Sequence, residues 1–380
     1  MEWAERHEYA ACAFVPWIEK TKSLTDALVV EFGCGNGSVL SAIAPAADRV
    51  LGLDIDALAV LEARERLADK GLTNAEAASG TFDELEERVR GLSGEIGAFV
   101  LFAALEHMTI AERLRVLSLA ADVIAADGVI VVAESPNRLL PWDYHTAELA
   151  FFGMLPDELA LHYLTRSRRE DFKADVSAAL GVGEAEALER LTRWGRGVSF
   201  HEFELAIEGF PENVVACNYE PELLPVREIY REELALARFL KRTRPDIPPA
   251  FTRYWLDFII ASDPSKMPRY IEPWSFETTN SRYVDFTEWD TLLLRGPHAR
   301  LTANFDAPVD ELLIGIENAV APIELRVHGG DGELARLAAG VAVGSSPEYL
   351  SVRFQIPQTT VTVDASKACH LSFLGSAPAH

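Results

Sequence analysis

Three glycines at alternate positions form the first stretch of the sequence that suits a functional site. Gly33, Gly35 and Gly37 stand in "VVEFGCGNGSVL", directly after an apolar run and before a helical pattern. Glycines in such number indicate a backbone that turns sharply or lies against a ligand. The pyrophosphate turn of dinucleotide enzymes prefers GxGxxG, whereas positions 38 and 39 are Ser and Val in this chain. The pattern therefore argues against a dinucleotide.

An acid follows at the spacing that suits a ribose. Asp54 ends the next apolar run, "VLGLDID", 21 residues after Gly33. A carboxylate at the end of a second strand can accept hydrogen bonds from both ribose hydroxyls. Together with the glycine turn, Asp54 predicts a ligand that contains an adenosine-like ribose but no pyrophosphate.

Two later stretches contain residue types that suit proton transfer. "SPNRLLPWDYHT" presents Asp143, Tyr144 and His145, and "WGRGVSFHEFEL" presents His201 and Glu202. A histidine beside acidic and phenolic groups suits the removal of a proton from a hydroxyl. We therefore expect these five residues to be the catalytic group. His107 follows Glu106 at the end of a preceding strand, where helix or strand capping is the competing interpretation.

A metal site is a weaker hypothesis. Asp143, His145, His201 and Glu202 suit a divalent ion by type. However, 56 residues separate His145 from His201, and the sequence does not show that they meet. We assign no metal from the sequence.

Alternating strands and helices must position these residues. Strands are predicted at "ALVVEF", "RVLGLDI", "GAFVLFA" and "GVIVVAES", with apolar residues at helical spacing between them. Such alternation indicates a mostly parallel sheet with helices on both faces. The fold class is therefore α/β, a Rossmann-like doubly wound sheet.

The pattern changes twice along the chain. Residues 1–140 hold the alternating core, and residues 141–275 are rich in predicted helix, aromatics and proline, as expected of a helical cap that contacts substrate. Residues 276–380 contain short β-rich pieces at regular spacing, which predict an antiparallel β-sandwich or jelly roll. The accessory β domain either recognises a glycan or another bulky acceptor, or stabilises or dimerises the protein.

Composition excludes several classes of partner. The net charge of −24 repels polyanions, so we expect no nucleic acid as partner. No apolar run is long enough for a membrane span, and the acidic N-terminus does not resemble a signal peptide, so we expect no membrane and a cytoplasmic location. The four cysteines form no CxxC pair.

The motifs together resemble a known family. "VVEFGCGNGSVL" and "VLGLDID" are similar to motifs I and II of class I S-adenosylmethionine-dependent methyltransferases. "LFAALEHMTIAERL" and "AADGVIVVAESPNRL" resemble that family's later strands, especially in its small-molecule members. The resemblance covers roughly residues 10–150. It implies a methyltransferase with S-adenosylmethionine as cofactor and S-adenosylhomocysteine as product.

The resemblance also implies which residues contact the cofactor. Position by position, it places Glu31 at the methionine end and the glycine turn against the cofactor, with Asp54 at the ribose and Ile55 against the adenine. Residues 80–82 would line the adenine edge, and residues 105–106 would lie beneath the sulfonium or the substrate. Together, these residues are Glu31, Gly33, Cys34, Gly35, Gly37, Asp54, Ile55, Gly80, Thr81, Phe82, Leu105 and Glu106. Thr81 departs from the family, which often has an acid there, and Ile96-Gly97 stand where it often has Phe-Asp.

Several functions remain open at this point. The favoured one is methylation of a small molecule at oxygen, with a homodimer as one expected assembly. N- or C-methylation, a nicotinamide-dependent oxidoreductase and a catalytically inactive cofactor-binding protein are the alternatives. The fold by itself does not identify the methyl acceptor.

Overall fold

The chain divides into two compact units. In the computed structural model, one unit contains residues 1–218 and 246–268, and the other contains residues 219–245 and 269–380. The structure describes residues 3–220, 222–227, 229–266, 272–273, 277–278, 284–286, 292–294, 300–317, 322–330, 332–340, 348–367 and 369–378. The division at residues 140 and 275 that the sequence suggested stays a prediction.

The first unit is an α/β sheet with helices. Its strands are β1 (Leu28–Phe32), β2 (Arg49–Asp54), β3 (Ala75–Ser79), β4 (Ile96–Phe102), β5 (Ile124–Pro136), β6 (Val214–Cys217) and β7 (Trp255–Ala261). Its helices are α1 (Trp3–Tyr9), α2 (Val15–Thr21), α3 (Leu40–Ile43), α4 (Ala57–Asp69), α5 (Phe82–Arg90), α6 (Ile110–Val123), α7 (Asp157–Tyr163), α8 (Glu170–Val182), α9 (Glu184–Trp194) and α10 (Phe200–Ala206).

The strand order brings the predicted motifs to one edge of the sheet. Within the described residues, the order is β3-β2-β1-β4-β5-β7-β6, with β1 to β5 parallel and β7 antiparallel to both of its neighbours. The central strands β1 and β4 are buried along their whole length. Because parallel strands end at the same edge, the glycine turn after β1, Asp54 at the end of β2 and the segment after β4 are neighbours.

Helix caps fix where the flanking helices begin. The Asp56 carboxylate accepts hydrogen bonds from two amides at the start of α4. Thr81 with Glu84, and Thr109 with Glu112, form reciprocal capping boxes that start α5 and α6. These local signals define the turns that follow β2, β3 and β4.

The segment predicted to be helix-rich also supplies two strands. Helices α7 to α9 pack around a core that includes Phe152, Phe172 and Leu191. However, β6 and β7 come from the same stretch of chain and extend the sheet beyond β5. Their sequences, "VVAC" and "WLDFIIA", are short apolar runs that periodicity alone cannot assign to helix or strand.

The second unit contains an antiparallel sheet. Its described strands are β8 (Glu272–Pro273), β9 (Glu277–Thr278), β10 (Val284–Phe286), β11 (Leu292–Leu294), β12 (Arg300–Glu317), β13 (Ile323–Gly329), β14 (Gly332–Ala339), β15 (Glu348–Ala365) and β16 (Cys369–Pro378). One helix, α11 (Arg231–Thr243), belongs to the same unit.

This antiparallel sheet has one apolar face. In the described part of the unit, the main path of the sheet is β10-β11-β16-β12-β15-β13-β14. Burial alternates along β13, and its inward residues Ile323, Leu325 and Val327 join a single apolar core. The β-rich domain expected from the sequence is therefore present. The predicted strand "GVAVGS" (340–345) lies, after Gly340, outside the described residues.

No helix in the described parts of the chain is both long and apolar enough to cross a membrane.

Candidate functional site

The glycine turn after β1 combines tight packing with one open position. The amides of Gly33 and Cys34 both donate to the Leu53 carbonyl, at 2.7 and 3.0 Å, which ties the turn to β2. A Cβ on Gly33 would lie 2.6 Å from the Ala104 Cβ, so packing requires glycine there. Gly35 has a φ of +49°, and a Cβ built on it would meet nothing within 4 Å. Gly35 therefore faces open space into which a ligand can approach.

Asp54 holds this turn in place. Its Oδ2 accepts a hydrogen bond of 2.7 Å from the Gly35 amide, and its Oδ1 accepts one of 2.8 Å from the Asp56 amide. Each carboxylate oxygen has a further lone pair. Asp54 can therefore support the turn and still accept hydrogen bonds from a ribose.

A cavity of about 300 Å³ lies against the turn. Seven residues that the family resemblance implicated line it: Glu31, Gly33, Cys34, Gly35, Asp54, Ile55 and Phe82. Five others do not line it: Gly37, Gly80, Thr81, Leu105 and Glu106. A Cβ on Gly37 would lie 2.8 Å from that of Ala63, so its role is packing. The Thr81 hydroxyl caps α5.

Glu31 is a buried acid in the lining of the cavity. Burial raises the pKa of this carboxyl well above its ordinary value, and the nearby Asp54 carboxylate raises it further, while Arg6 opposes the shift. Among the described residues, the Glu31 Oε2 is buried and has no hydrogen-bond partner. Such an atom is costly unless a ligand donates to it.

Apolar side chains form the opposite part of the cavity. Ile55 is 55% exposed, although it is a large aliphatic residue. The Phe82 ring packs edge-on against Phe32, with 5.5 Å between the ring centroids. Exposed apolar surface beside a polar pocket suits the face of an adenine ring.

Sequence reasoning missed several residues of this cavity. They are Arg6, Phe32, Ser38, Val39, Phe102, Ala103, Ala104, Met108, Glu112 and Arg193. His107, for which the sequence left capping as the competing interpretation, also lines the cavity. Arg193 makes a two-point ion pair with Glu112, at 2.9 and 3.0 Å, and donates 2.9 Å to the His107 carbonyl. Only the basic stretch "LTRWGRG" around Arg193 gave a signal, since nothing in the sequence shows that α9 packs beside the end of β4.

The loop after β5 places Asp143, Tyr144 and His145 at a second cavity of about 20 Å³. The Asp143 carboxylate accepts hydrogen bonds from the amides of His145, Thr146 and Ala147, at 2.9–3.1 Å. It therefore holds the backbone of the loop, and no hydrogen bond joins it to the His145 ring. The Tyr144 ring packs edge-on against Tyr254.

His145 is the part of this loop that approaches other ionisable groups. Its Nε2 lies 4.0 Å from the Glu106 Oε1, and its ring centroid lies 5.3 Å from that of His107. Burial lowers the pKa of His145, with Glu106 opposing the shift and His107 adding to it. His107 lines the larger cavity and His145 the smaller one. The histidine pair therefore lies where the two cavities approach each other.

Glu106 belongs to this cluster, although it does not line either cavity. The side chain is fully buried, and its Oε1 lies 3.9 Å from the His107 Nε2. The Oε2 accepts a hydrogen bond of 3.1 Å from the Ser135 hydroxyl. The structure thus places Glu106 beside the predicted proton acceptor.

His201 and Glu202 do not join this cluster. Glu202 is buried, forms an ion pair of 3.2 Å with Arg113 and caps α10 through Ser199. His201 is exposed and packs against the Phe200 ring. Neither lines either of the two cavities. The four-residue metal hypothesis is therefore wrong in its geometry, because Asp143 binds amides and Glu202 binds an arginine.

Comparisons with known proteins identify a methyltransferase domain within the α/β unit. Residues 29–128 match the family model described as "Methyltransferase domain". No curated protein matches the chain in sequence. Similar solved structures include the YcgJ protein from Bacillus subtilis, with 18% identity and a TM-score of 0.30. An S-adenosylmethionine-dependent methyltransferase from Clostridium acetobutylicum has 10% identity and a TM-score of 0.31.

A third similar structure is phosphoethanolamine N-methyltransferase 1 from Haemonchus contortus, in complex with phosphoethanolamine and S-adenosylhomocysteine, with 20% identity and a TM-score of 0.30. The matches to the Bacillus, Haemonchus and Clostridium proteins cover 34%, 35% and 39% of this chain. They span 52%, 27% and 56% of those proteins.

Proposed function

We propose that this chain, whose residues 29–128 form a methyltransferase domain of the class I S-adenosylmethionine-dependent type, methylates a hydroxyl of a small molecule. The observation that carries the proposal is the convergence of Glu106, His107 and His145 beside the larger cavity, at the carboxyl ends of β4 and β5. The nicotinamide alternative has no support, because the matched family is a methyltransferase.

The larger cavity fits S-adenosylmethionine in the chemistry of its lining. The buried, unpartnered Glu31 Oε2 suits the ammonium of the methionine part. The open approach at Gly35 and the acceptor oxygens of Asp54 suit the ribose. The exposed Ile55 and the Phe82 ring suit the adenine. Each part of the cofactor thus has a matching group in the cavity.

The protein's contribution to methyl transfer is positioning and proton removal. S-adenosylmethionine supplies a methyl group on a sulfonium, which an acceptor displaces in line. Holding the acceptor in that line supplies a large share of the acceleration. The loop that Asp143 stabilises and the ion pair between Glu112 and Arg193 fix the residues around the acceptor position.

Oxygen is the favoured acceptor because a hydroxyl must lose its proton. Each imidazole of the cluster has one nitrogen occupied, since the His107 Nδ1 faces the Arg193 carbonyl at 2.8 Å and the His145 Nδ1 faces the Thr146 hydroxyl at 3.2 Å. Both Nε2 atoms remain as lone-pair acceptors beside Glu106. We assign the proton transfer to His145, which adjoins the smaller cavity where the acceptor would sit.

The negative net charge of the chain and the small volume of the second cavity favour a small molecule as the substrate. The net charge of −24 opposes binding of nucleic acid. The smaller cavity, of about 20 Å³, leaves room for only a small part of an acceptor unless its loop moves. The aromatic residues Trp142, Tyr144, Tyr254 and Trp255 around it suit an apolar or aromatic acceptor.

The test has a binding part and a turnover part. Calorimetry should show that the full chain binds S-adenosylmethionine and S-adenosylhomocysteine. A panel of alcohols, phenols, amines and carboxylic acids, followed by mass spectrometry of the products, should give methyl ethers. Methylated amines as the main products would move the assignment to nitrogen, and a chain that binds neither cofactor form would overturn the proposal.

His145→Ala should lower turnover by about 10²–10⁴-fold with cofactor affinity retained, because it removes the proton acceptor. The matched control is His162→Ala, since His162 is exposed on α7 and lines neither cavity. His201→Ala and Glu202→Gln test the competing site. If His145→Ala keeps normal turnover while one of these two fails, the base lies on α10.

A further inference from the structure

The cluster of Glu106, His107 and His145 has the composition of a metal site. Within the described residues, one ligand atom from each side chain lies within 4.8 Å of the others. The Glu106 Oε1 is 3.9 Å from the His107 Nε2 and 4.0 Å from the His145 Nε2. Shifts of a few tenths of an ångström would bring all three atoms to the ~2.0–2.2 Å of a metal bond.

The neighbours of the two imidazoles hold them in the tautomer that a metal needs. The Arg193 carbonyl can only accept, so the His107 Nδ1 carries the proton in their 2.8 Å hydrogen bond. The Thr146 hydroxyl donates 2.6 Å to the Gly195 carbonyl, so its oxygen accepts from the His145 Nδ1 at 3.2 Å. Both Nε2 lone pairs then point toward the carboxylate. This arrangement of outer hydrogen bonds is usual for metal-binding histidines.

The environment of Glu106 is a second, independent indication of a metal site. Its side chain is fully buried, its Oε2 is held by the Ser135 hydroxyl, and its Oε1 has no hydrogen-bond partner among the described residues. A buried carboxylate oxygen that lacks a donor is expensive unless it is paired or coordinates a metal. The Nε2 atoms of His107 and His145, at 3.9 and 4.0 Å, are beyond hydrogen-bond distance of this oxygen.

We propose that Glu106, His107 and His145 bind one divalent transition-metal ion. Two imidazoles and one carboxylate favour ions such as Zn²⁺, Co²⁺ or Mn²⁺ over Mg²⁺, which prefers oxygen ligands and bound water. Three protein ligands leave coordination positions open, as in catalytic metal sites. Of the two histidines, His107 lines the larger cavity and His145 the smaller one, so an ion held between them would lie beside both.

A catalytic role for this ion rests on the proposed function, whereas the binding of the ion does not. A hydroxyl that coordinates a divalent ion loses its proton to water more readily, because the ion's charge stabilises the alkoxide. The ion would thus make the acceptor hydroxyl more acidic, so that water could take the proton that His145 would accept in the protein without the ion. His145 is then a ligand, and its replacement should impair both ion binding and turnover.

The first experiment measures metal binding without activity. The full chain, free of any histidine tag and treated with chelator, is titrated with Co²⁺ and followed by visible absorption and calorimetry. We expect one ion per chain. His107→Ala, His145→Ala and Glu106→Gln should each weaken binding by at least about tenfold, and the outer-shell variant Thr146→Val by about 10–100-fold. His162→Ala should bind as the wild type does.

Thermal unfolding without metal shows whether each variant is folded; Glu106→Gln keeps the shape of the buried side chain. Absence of Co²⁺ binding by the folded wild type, or binding that all three ligand variants retain, would overturn the metal site. S-adenosylhomocysteine binding is measured on the same samples. Metal binding without cofactor binding would support the metal site and overturn the proposed function. Cofactor binding without metal binding would overturn the metal site and leave the proposed function in place.

Discussion

Buried acids are treated differently in the two units of this protein. In the antiparallel sheet, the Asp364 carboxylate meets the His328 Nε2 at 2.8 Å, and the Glu311 carboxylate accepts 2.8 Å from the Ser351 hydroxyl. In the α/β unit, by contrast, one carboxylate oxygen of Glu31 and one of Glu106 have no hydrogen-bond partner among the described residues.

Folding alone favours partners for every buried polar atom. The Asp364 and Glu311 carboxylates of the antiparallel sheet satisfy that rule from within the unit. The acids beside β1 and β4 do not, and both lie where ligands of open α/β sheets bind. We infer from this difference that the carboxylate oxygens of Glu31 and Glu106, each beside a cavity or the histidine pair, are available to a bound group.

The largest expected effect comes from filling the open position of the turn. Gly35→Val should weaken cofactor binding by more than about 100-fold, because its side chain occupies the cavity and its φ of +49° is strained for valine. Calorimetry with S-adenosylhomocysteine measures the loss. Gly71→Val is the matched control, since Gly71 has a φ of +66° and equally open surroundings but does not line the cavity. Equal losses in both variants would attribute the effect to strain alone.

The second largest effect is expected from a core substitution in the unit that contains the antiparallel sheet. Leu325→Ala should destabilise the second unit by about 2–5 kcal/mol, because Leu325 is fully buried in its core. Cofactor affinity should remain within a few-fold, since the cavity-lining residues all belong to the first unit. Leu334→Ala, at a 36% exposed position, is the control. Chemical denaturation and calorimetry measure the two quantities, and a large loss of cofactor affinity would show that the units are coupled.

A smaller effect is expected at the acid that ends β2. Asp54→Ala should weaken cofactor binding by about 1–3 kcal/mol, because both the hydrogen bond to the Gly35 amide and those to the ribose are lost. Asp56→Ala removes the cap of α4 and should cost about 1 kcal/mol of stability with cofactor affinity retained. Unchanged affinity in Asp54→Ala would contradict the assignment of the ribose.

The smallest effect depends on pH and separates Glu31 from Asp364. The pKa of Glu31 is raised by burial, so ionising it costs stability as the pH rises above the ordinary carboxyl pKa of ~4.3. Glu31→Gln should therefore melt at or above the wild-type temperature at pH 7, and the difference should vanish in acid below that pKa. Asp364→Asn should instead lower the melting temperature at pH 7, because it weakens a satisfied pair.

Cofactor binding provides a second test of the prediction that Glu31 is protonated more readily than an ordinary carboxyl group. An ammonium beside Glu31 favours its ionised form, so binding near pH 6 should release protons. Calorimetry in buffers of different ionisation enthalpy detects that release, and Glu31→Gln should abolish it. One Glu31 oxygen accepts from the Leu40 amide, and Gln can keep that bond. If Glu31→Gln is nevertheless strongly destabilising at pH 7, the second oxygen has a structural role and is not available to a ligand.

The sequence predicted the part of the site that depends on local chain geometry. The glycine turn and Asp54 lie within 22 residues of each other on consecutive strands, so their contact follows from a single βαβ unit. Their lining of the cavity with Glu31, Ile55 and Phe82 follows from the parallel order of the strands. The alternating strands and helices also predicted β1, β2, β4 and β5 of the sheet. They did not predict β3, which has no apolar run, or β6 and β7, whose short apolar runs carry no distinct period.

What the sequence determined by itself is therefore the α/β core, the antiparallel sheet and the turn that faces the predicted cofactor. These features are encoded in glycine spacing, apolar periodicity and strand ends, which act over a few residues. Only the tertiary structure decided which side chains meet at the cluster of Glu106, His107 and His145. Arg193 reaches His107 across 86 residues of chain, and His145 reaches Glu106 across a crossover between β4 and β5, so their proximity depends on packing. Asp143 and Glu202 look equally suited to catalysis in the sequence, but Asp143 binds backbone amides and Glu202 binds Arg113, because a side chain's partners are fixed only when the chain is folded.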